Sequence, residues 1–350
     1  MKIVKFLGNQ QVKTVDIEEP KIEQWNDVKI KIEYCGICGS DVGAYAYPPL
    51  VVPSKLARGE APYAQGHEFT GVITEIGSGV TKFKVGDRVT AEPLIYCGEC
   101  EECKAGNYNL CHDISCIGYA VDGAFAEYII VQEHNVHLLP ENVDFKVGTL
   151  AEPTGVAYGC VVDSGLKEGQ TCVVFGAGTI GIMAMQTAKA LKAKTVIIVD
   201  LSDERLELAK KMGADYTLNS KTDDVIARIK EITNGGAHVV IEASGAQACF
   251  DMAVECTRKH ATIQVVAMYH QPIQITNQVS FMGKDLRLRM SSAAYNNRFD
   301  ELLRMISEGE LTPQMLISKE IVLDDLIEEG IKKLMVDKSL FKILVKCSKD

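Results

Sequence analysis

No run of eighteen or more apolar residues occurs in the 350-residue chain, so no segment of it reads as a membrane-spanning helix. An excess of positive charge is missing too. Lys and Arg number 37 against 47 Asp and Glu, a formal net charge of −10. A chain without a basic face is poorly suited to a phosphate backbone, which argues against nucleic acid as the main partner. A small uncharged substrate meets no such obstacle. Long polar tracts, low-complexity linkers and internal repeats are also absent. With 47% hydrophobic and 24% charged residues, the composition is that of a folded globular protein, and disorder is excluded. The N-terminal stretch MKIVKFLGNQQVK turns polar too soon for a signal peptide, so a cytoplasmic location is expected. The length suits two domains of ordinary size.

Cysteine is abundant, at twelve residues. A reducing compartment disfavours disulfides, so clustered cysteines read as metal ligands or catalytic groups. Cys97, Cys100, Cys103 and Cys111 follow one another at spacings of three, three and eight. Four thiolates on one loop can wrap a tetrahedral ion with no open position, the pattern of a structural zinc. An iron–sulfur cluster is the alternative, but the spacing differs from the ferredoxin runs. Most of the others (Cys35, Cys38, Cys116, Cys160, Cys172, Cys249, Cys256 and Cys347) read as small buried hydrophobes.

Along the chain the character changes once. Roughly the first 150 residues alternate apolar and polar positions, as at Val28, Ile30, Ile32 and Tyr34, between Gly-marked turns; this predicts a β-barrel or sandwich. From Thr171 to about Ile275, strands alternate with helical patterns, as in a parallel, doubly wound α/β sheet. One helix is expected to start near Asp203 and stop before Gly213. From Asn297 the tail is helical, then mixed.

Gly176-Ala177-Gly178-Thr179-Ile180-Gly181 follows an apolar strand and opens an apolar helix, the context of a dinucleotide fingerprint. The glycines permit the tight turn, the approach of backbone to pyrophosphate and close helix–strand packing, and the helix N-terminus offers N–H groups to phosphate. Asp200 ends the next strand about twenty residues on, where a carboxylate binds a ribose 2′-OH and repels a 2′-phosphate, so NAD is favoured over NADP. Arg205 reads either as a residue beside the adenosine or as an ordinary surface arginine.

A second constellation is dispersed: Cys38 in Cys35-Gly-Ile-Cys38-Gly-Ser40-Asp41, His67-Glu68 in Gln65-Gly66-His67-Glu68-Phe69, and Glu152 in Ala151-Glu152-Pro153. One thiolate, one imidazole and one or two carboxylates suit a catalytic zinc with an open position. Spacing alone does not bring them together, and a lone His in an apolar strand also serves structure.

These motifs, with Val85-Gly86-Asp87-Arg88-Val89 and Gly123-Ala-Phe-Ala-Glu-Tyr, occur in the order found in the zinc-dependent medium-chain dehydrogenase/reductase family, which the chain resembles over essentially its whole length. The resemblance implies a GroES-like β-barrel catalytic domain over residues 1–152 and 297–350, with a structural-zinc lobe at about 93–115. It also implies a Rossmann NAD-binding domain over 153–296. Two zinc ions per chain and NAD would be the cofactors. By the family pattern Cys38 and His67 would ligate the catalytic zinc. Glu68 or Glu152 would complete the set, Asp41 would orient His67, and Ser40 would take the substrate proton. Many members place a His five residues after the first ligand Cys to end the relay. Here Gly43 stands there, so water or another group such as Tyr45 would take its place. The variable segment 45–64 would line the cleft, where Lys55 or Arg58 would meet a phosphorylated substrate or remain solvated.

The motif set leans to the polyol, butanediol and threonine branch. The expected activity is therefore hydride transfer between NAD and a secondary alcohol or polyol such as sorbitol, xylitol or 2,3-butanediol. Threonine or a sugar-alcohol phosphate is the alternative substrate. A non-catalytic or zinc-free relative is the alternative of another class. Members of the family often form homotetramers or homodimers, sometimes by pairing the edge strands of their Rossmann sheets. Residues 261–268 are either such a strand or an ordinary core strand.

Overall fold

The computed structural model describes residues 1–8, 10–46, 63–291, 293 and 295–348. The Lys55, Arg58 and 45–64 loop assignments therefore fall wholly or largely outside the described residues. The chain divides into two compact units. One comprises Met1–Glu152, Asn296–Ser307 and Pro313–Asp350; the other comprises Pro153–Tyr295 and Glu308–Thr312. Among the described residues no helix is long and apolar enough to cross a membrane.

The first unit is built around the strand Asp27–Gly36. Its Val28, Ile30 and Ile32 are fully buried, and burial of each such side chain contributes about 2–3 kcal/mol. Glu68–Ile76 pairs antiparallel along one edge. Along the other edge, Tyr128–Gln132 pairs with the first half of the strand and Lys342–Lys346 with its last residues. The sheet continues through Arg88–Ala91 to Val136–Leu138 on one side and through Ile317–Val322 on the other. A smaller sheet of Gln11–Asp16, Lys2–Gly8 and Tyr63–Ala64 completes the unit. Ile3, Phe69, Ile73, Phe125 and Val345 fill the core. The C-terminal strand is thus an integral part of the barrel, and it delivers Lys342 to the interior.

The second unit is a six-stranded, wholly parallel sheet in the order Tyr216–Asn219, Thr195–Asp200, Thr171–Phe175, Ala237–Glu242, Thr257–Val265 and Arg287–Met290. The first, fully buried strand therefore has its later neighbours on both sides. That reversal creates the crevice where doubly wound sheets bind ligands. The helix expected near Asp203 runs Asp203–Lys211. Its cap is Ser202, whose hydroxyl accepts from the Arg205 N–H at 3.3 Å. Gly213, at φ +108, lies just beyond its end. Of the two readings of residues 261–268, the core strand is correct: Thr257–Val265 pairs on both edges. The outer strand is Arg287–Met290, whose four residues are all exposed.

Steric demand differs sharply between the glycines of the 176–181 turn. A Cβ on Gly181 would lie 1.7 Å from the Gly176 carbonyl oxygen, whereas one on Gly178 would meet nothing closer than Arg205 Nη1 at 4.0 Å. Gly181→Val should cost about 3 kcal/mol or more, and Gly178→Ala under about 1 kcal/mol, both read by denaturant unfolding. Equal costs for the two would contradict this packing.

Candidate active site and metal centres

The strand register assembles the first cluster. Asp27–Gly36 runs directly into Cys38, and the pairing of Gly36 with Glu68 sets the start of the neighbouring strand beside it. Gly66 turns the chain into that strand at φ +94. A Cβ there would collide with the Phe125 N–H group at 2.8 Å and Cys35 Sγ at 2.9 Å. His67 and Glu68 consequently project where Cys38 ends its own segment. One ligand atom from each of Cys38, His67 and Glu68 lies within 4.8 Å of the others. Asp41, in the first turn of the helix Gly39–Ala46, accepts from the Cys38 N–H at 2.8 Å and so fixes the thiol-bearing loop.

The electrostatics of the cluster call for a cation. Burial alone would lower the His67 pKa. The Cys38 side chain, Asp41 and Glu152 together lift it well above its ordinary value. Asp41 Oδ1 and His67 Nδ1 are buried, face one another at 3.9 Å and have no hydrogen-bond partner among the described residues. A carboxylate facing one ring nitrogen while the other is available to a metal is the usual outer arrangement of a ligating histidine. Thiol, imidazole and carboxylate are a donor set that fits zinc. Glu152, buried in the first turn of Ala151–Asp163, adds its charge to the same imidazole and so belongs to the assembly.

The second cluster is formed by Cys97, Cys100, Cys103 and Cys111, whose sulfurs lie within 4.8 Å of one another. Cys97 Sγ is 3.5 Å from Cys111 Sγ and 4.0 Å from Cys103 Sγ. A tetrahedron with Zn–S bonds of about 2.3 Å has edges of about 3.8 Å, so these spacings fit a four-sulfur zinc. Backbone N–H groups donate to Cys97, Cys100 and Cys111 at 3.3–3.5 Å. Such bonds lower the Cys97 thiol and bring Cys100 down to about 6, while desolvation pushes Cys103 up to about 12. The lobe is anchored by Tyr108. Its hydroxyl donates to Glu92 at 2.6 Å, Glu92 meets His137 at 2.9 Å, and His137 reaches Asp300 at 2.7 Å.

The Gly-rich turn is closed by Asp200. One carboxylate oxygen accepts from the Ala177 N–H at 2.6 Å, the other from Leu201 at 2.7 Å and Ser202 at 3.0 Å. Gly178 caps the helix Thr179–Ala190, and Thr179 and Ile180 stand half-buried in its first turn. Arg205 brings its guanidinium to Gly178. Across the turn the fully buried Glu242 accepts from the N–H groups of Ser244 at 2.9 Å and Gly245 at 3.2 Å, and so fixes the adjoining loop.

Two family models match: an alcohol dehydrogenase GroES-like domain over residues 24–141 and a zinc-binding dehydrogenase domain over 179–308. The chain is 36% identical over 352 residues to (R,R)-butanediol dehydrogenase of Bacillus subtilis (strain 168), covering 99% of each chain. It is 33% identical to sorbitol dehydrogenase of the same organism, covering 99% of this chain and 97% of that one. The crystal structure of 2R,3R-butanediol dehydrogenase from Bacillus subtilis superposes with a TM-score of 0.91 at 36% identity, over 99% of both chains. The chain belongs to the zinc-type alcohol dehydrogenase family. Its fold is accordingly the GroES-like barrel with a Rossmann-type parallel sheet, and its class is dehydrogenase.

Three side chains at the centre of this dehydrogenase escaped the sequence reading. Lys342 is buried with its ammonium 2.5 Å from both carboxylate oxygens of Glu68 and 3.0 Å from the Ile37 carbonyl. Burial would lower its pKa, but Glu68 and Cys38 raise it. A lysine beside the apolar run Ile343-Leu-Val345 was the available signal. Tyr119 tilts its ring over His67, with centroids 5.6 Å apart, and has Ser40 as a hydrogen-bond partner. No sequence signal marked it. Cys116, read as a small hydrophobe, places its thiol among Glu152, Cys38 and Asp41, where burial raises its pKa. Tyr45, by contrast, lies in the hydrophobic core of the barrel.

Lys342→Met strands a buried carboxylate and should destabilise the protein by about 3–5 kcal/mol, read by thermal unfolding. Glu68→Gln combined with Lys342→Met should recover most of that loss. Wild-type stability in Lys342→Met would show that the pair does not hold these strands.

Proposed function

We propose that the chain is an NAD-dependent, zinc-dependent dehydrogenase of secondary alcohols, with vicinal diols and polyols of the 2,3-butanediol, sorbitol and xylitol kind as its substrate class. The observation that carries this reading is the convergence of Cys38, His67 and Glu68 on one point, beside Glu152 and Ser40. The names of the relatives, butanediol and sorbitol dehydrogenases, support the substrate class. Threonine and sugar-alcohol phosphates are the competing substrates. The cations expected to meet a phosphate, Lys55 and Arg58, lie outside the described residues.

In this reading Cys38, His67 and a carboxylate, Glu68 or Glu152, hold the catalytic zinc, and the four-cysteine lobe holds a structural one. Zinc held there would supply Lewis acidity toward a carbonyl or hydroxyl oxygen, and NAD would supply the hydride acceptor. The protein's own groups do the rest. Asp41 keeps the His67 ring in its tautomer. Lys342 shares the charge of Glu68, which limits that carboxylate as a donor and gives weight to Glu152. Ser40 accepts the proton of the substrate hydroxyl. The Gly176–Gly181 turn receives the pyrophosphate. Asp200 reads the ribose and disfavours a 2′-phosphate, with Arg205 beside the adenosine end.

The barrel unit serves as the catalytic domain and the parallel-sheet unit as the NAD-binding domain. A cytoplasmic homo-oligomer is proposed, dimeric through antiparallel self-pairing of the exposed outer strand Arg287–Met290. In the same unit Met268, Val279 and Met282 are 78–83% exposed.

The reading is tested by NADH formation from 2,3-butanediol stereoisomers, sorbitol, xylitol, threonine and galactitol 1-phosphate, with NAD or NADP, before and after a strong chelator. Turnover of a diol or polyol that the chelator abolishes is expected, with NAD preferred by at least about tenfold, the equivalent of 1.4 kcal/mol. Zinc-loaded protein inactive on every diol and polyol would overturn the substrate class, and an equal rate with NADP would overturn the role of Asp200.

A further inference from the structure

With Gly43 in the place of the relay histidine and Tyr45 sunk in the core, Ser40 finds a partner, among the described residues, in Tyr119 on the turn 116–121. That turn is held firmly. Gly118 donates to the Val121 carbonyl at 3.0 Å, and Tyr119 and Ala120 donate to the Cys116 carbonyl at 3.2 Å and 2.9 Å. Gly118, at φ +81, is pressed against Gly66, such that a Cβ would lie 3.0 Å from the Gly66 carbonyl oxygen. The residue after Gly118 is therefore fixed relative to the residue after Gly66. This places the Tyr119 ring over His67 and its hydroxyl against Ser40, whose side chain is exposed at the start of Gly39–Ala46.

A serine hydroxyl rotates among three staggered positions, with one proton to donate and two lone pairs to accept. To take a proton from substrate, Ser40 must present a lone pair and aim its own proton elsewhere. We propose that Tyr119 is the positioning residue for Ser40: its phenol oxygen accepts the Ser40 O–H, so that the Ser40 lone pairs face the substrate hydroxyl. The inference rests on the dehydrogenase reading above. No proton is gained or lost by Tyr119 in this role. It sets the polarity of the hydrogen-bond chain, while its ring covers one face of His67.

Tyr119→Phe keeps the ring and removes the acceptor. Its kcat/KM for oxidation of the best alcohol should fall about tenfold, the effect of one neutral hydrogen bond. Zinc content and the Kd for NAD should be unchanged. Ser40→Ala should fall further, and adding Tyr119→Phe to Ser40→Ala should cost nothing more, because the phenol acts only through Ser40. A second readout is independent of turnover. With 13Cζ-labelled tyrosine, the resonance lost in Tyr119→Phe should shift in Ser40→Ala, with or without zinc. Undiminished kcat/KM in Tyr119→Phe, additive losses in the double variant, or an unshifted Tyr119 resonance in Ser40→Ala would each overturn the inference while wild-type turnover upheld the dehydrogenase reading. A wild type inactive on every alcohol would overturn that reading and the positioning role with it.

Discussion

A buried ammonium and a buried carboxylate meet where three strands of the barrel converge, and much of the site depends on that contact. Lys342 comes from the C-terminal strand, Glu68 opens the strand that follows His67, and the Ile37 carbonyl that Lys342 also binds lies one residue before Cys38. A lone charge here would be costly, so each partner commits the other to the interior. Gly36 shows how tight the junction is: a Cβ there would come within 2.3 Å of Glu68 Oε2. The glycine in Cys35-Gly-Ile-Cys38 is therefore a steric requirement of Glu68, which lies on another strand.

Charge accounts for the next layer. Cys38, Asp41, Glu68 and Glu152 surround one imidazole and one ammonium, an arrangement with more anionic capacity than two cations offset. A divalent ion would supply the counter-charge. The unsatisfied pair Asp41 Oδ1 and His67 Nδ1 points to the same conclusion from hydrogen-bond geometry. The four-cysteine lobe repeats the logic with sulfur alone. Its attachment through Tyr108, Glu92, His137 and Asp300 shows that a structural metal here would steady the barrel as well as its own loop.

What could be read from the sequence divides along the range of the interactions. The dinucleotide turn was legible because strand, glycines, helix and Asp200 are neighbours in the chain, and each glycine has a local reason. The cysteine lobe was legible for the same reason. The separate pieces of the other metal site were recognisable as motifs, but their meeting depends on strand register. Lys342 stood out only as a charge beside an apolar run, and its role was hidden because its partner lies 274 residues away. Tyr119 was invisible because its position follows from Gly118 pressing on Gly66, a contact between two turns. The outer strand was missed because Arg287-Leu-Arg-Met290 is short and exposed, with none of the apolar continuity that made residues 261–268 readable as a strand.

The central claim is that Cys38, His67 and a carboxylate hold a metal ion distinct from the one in the cysteine lobe. X-ray absorption at the zinc edge, with metal content measured on the same sample, tests it most directly. The account predicts two zinc ions per chain and a mixed sulfur, nitrogen and oxygen shell that becomes all-sulfur in Cys38→Ser. A single zinc with an all-sulfur shell in the wild type would contradict it.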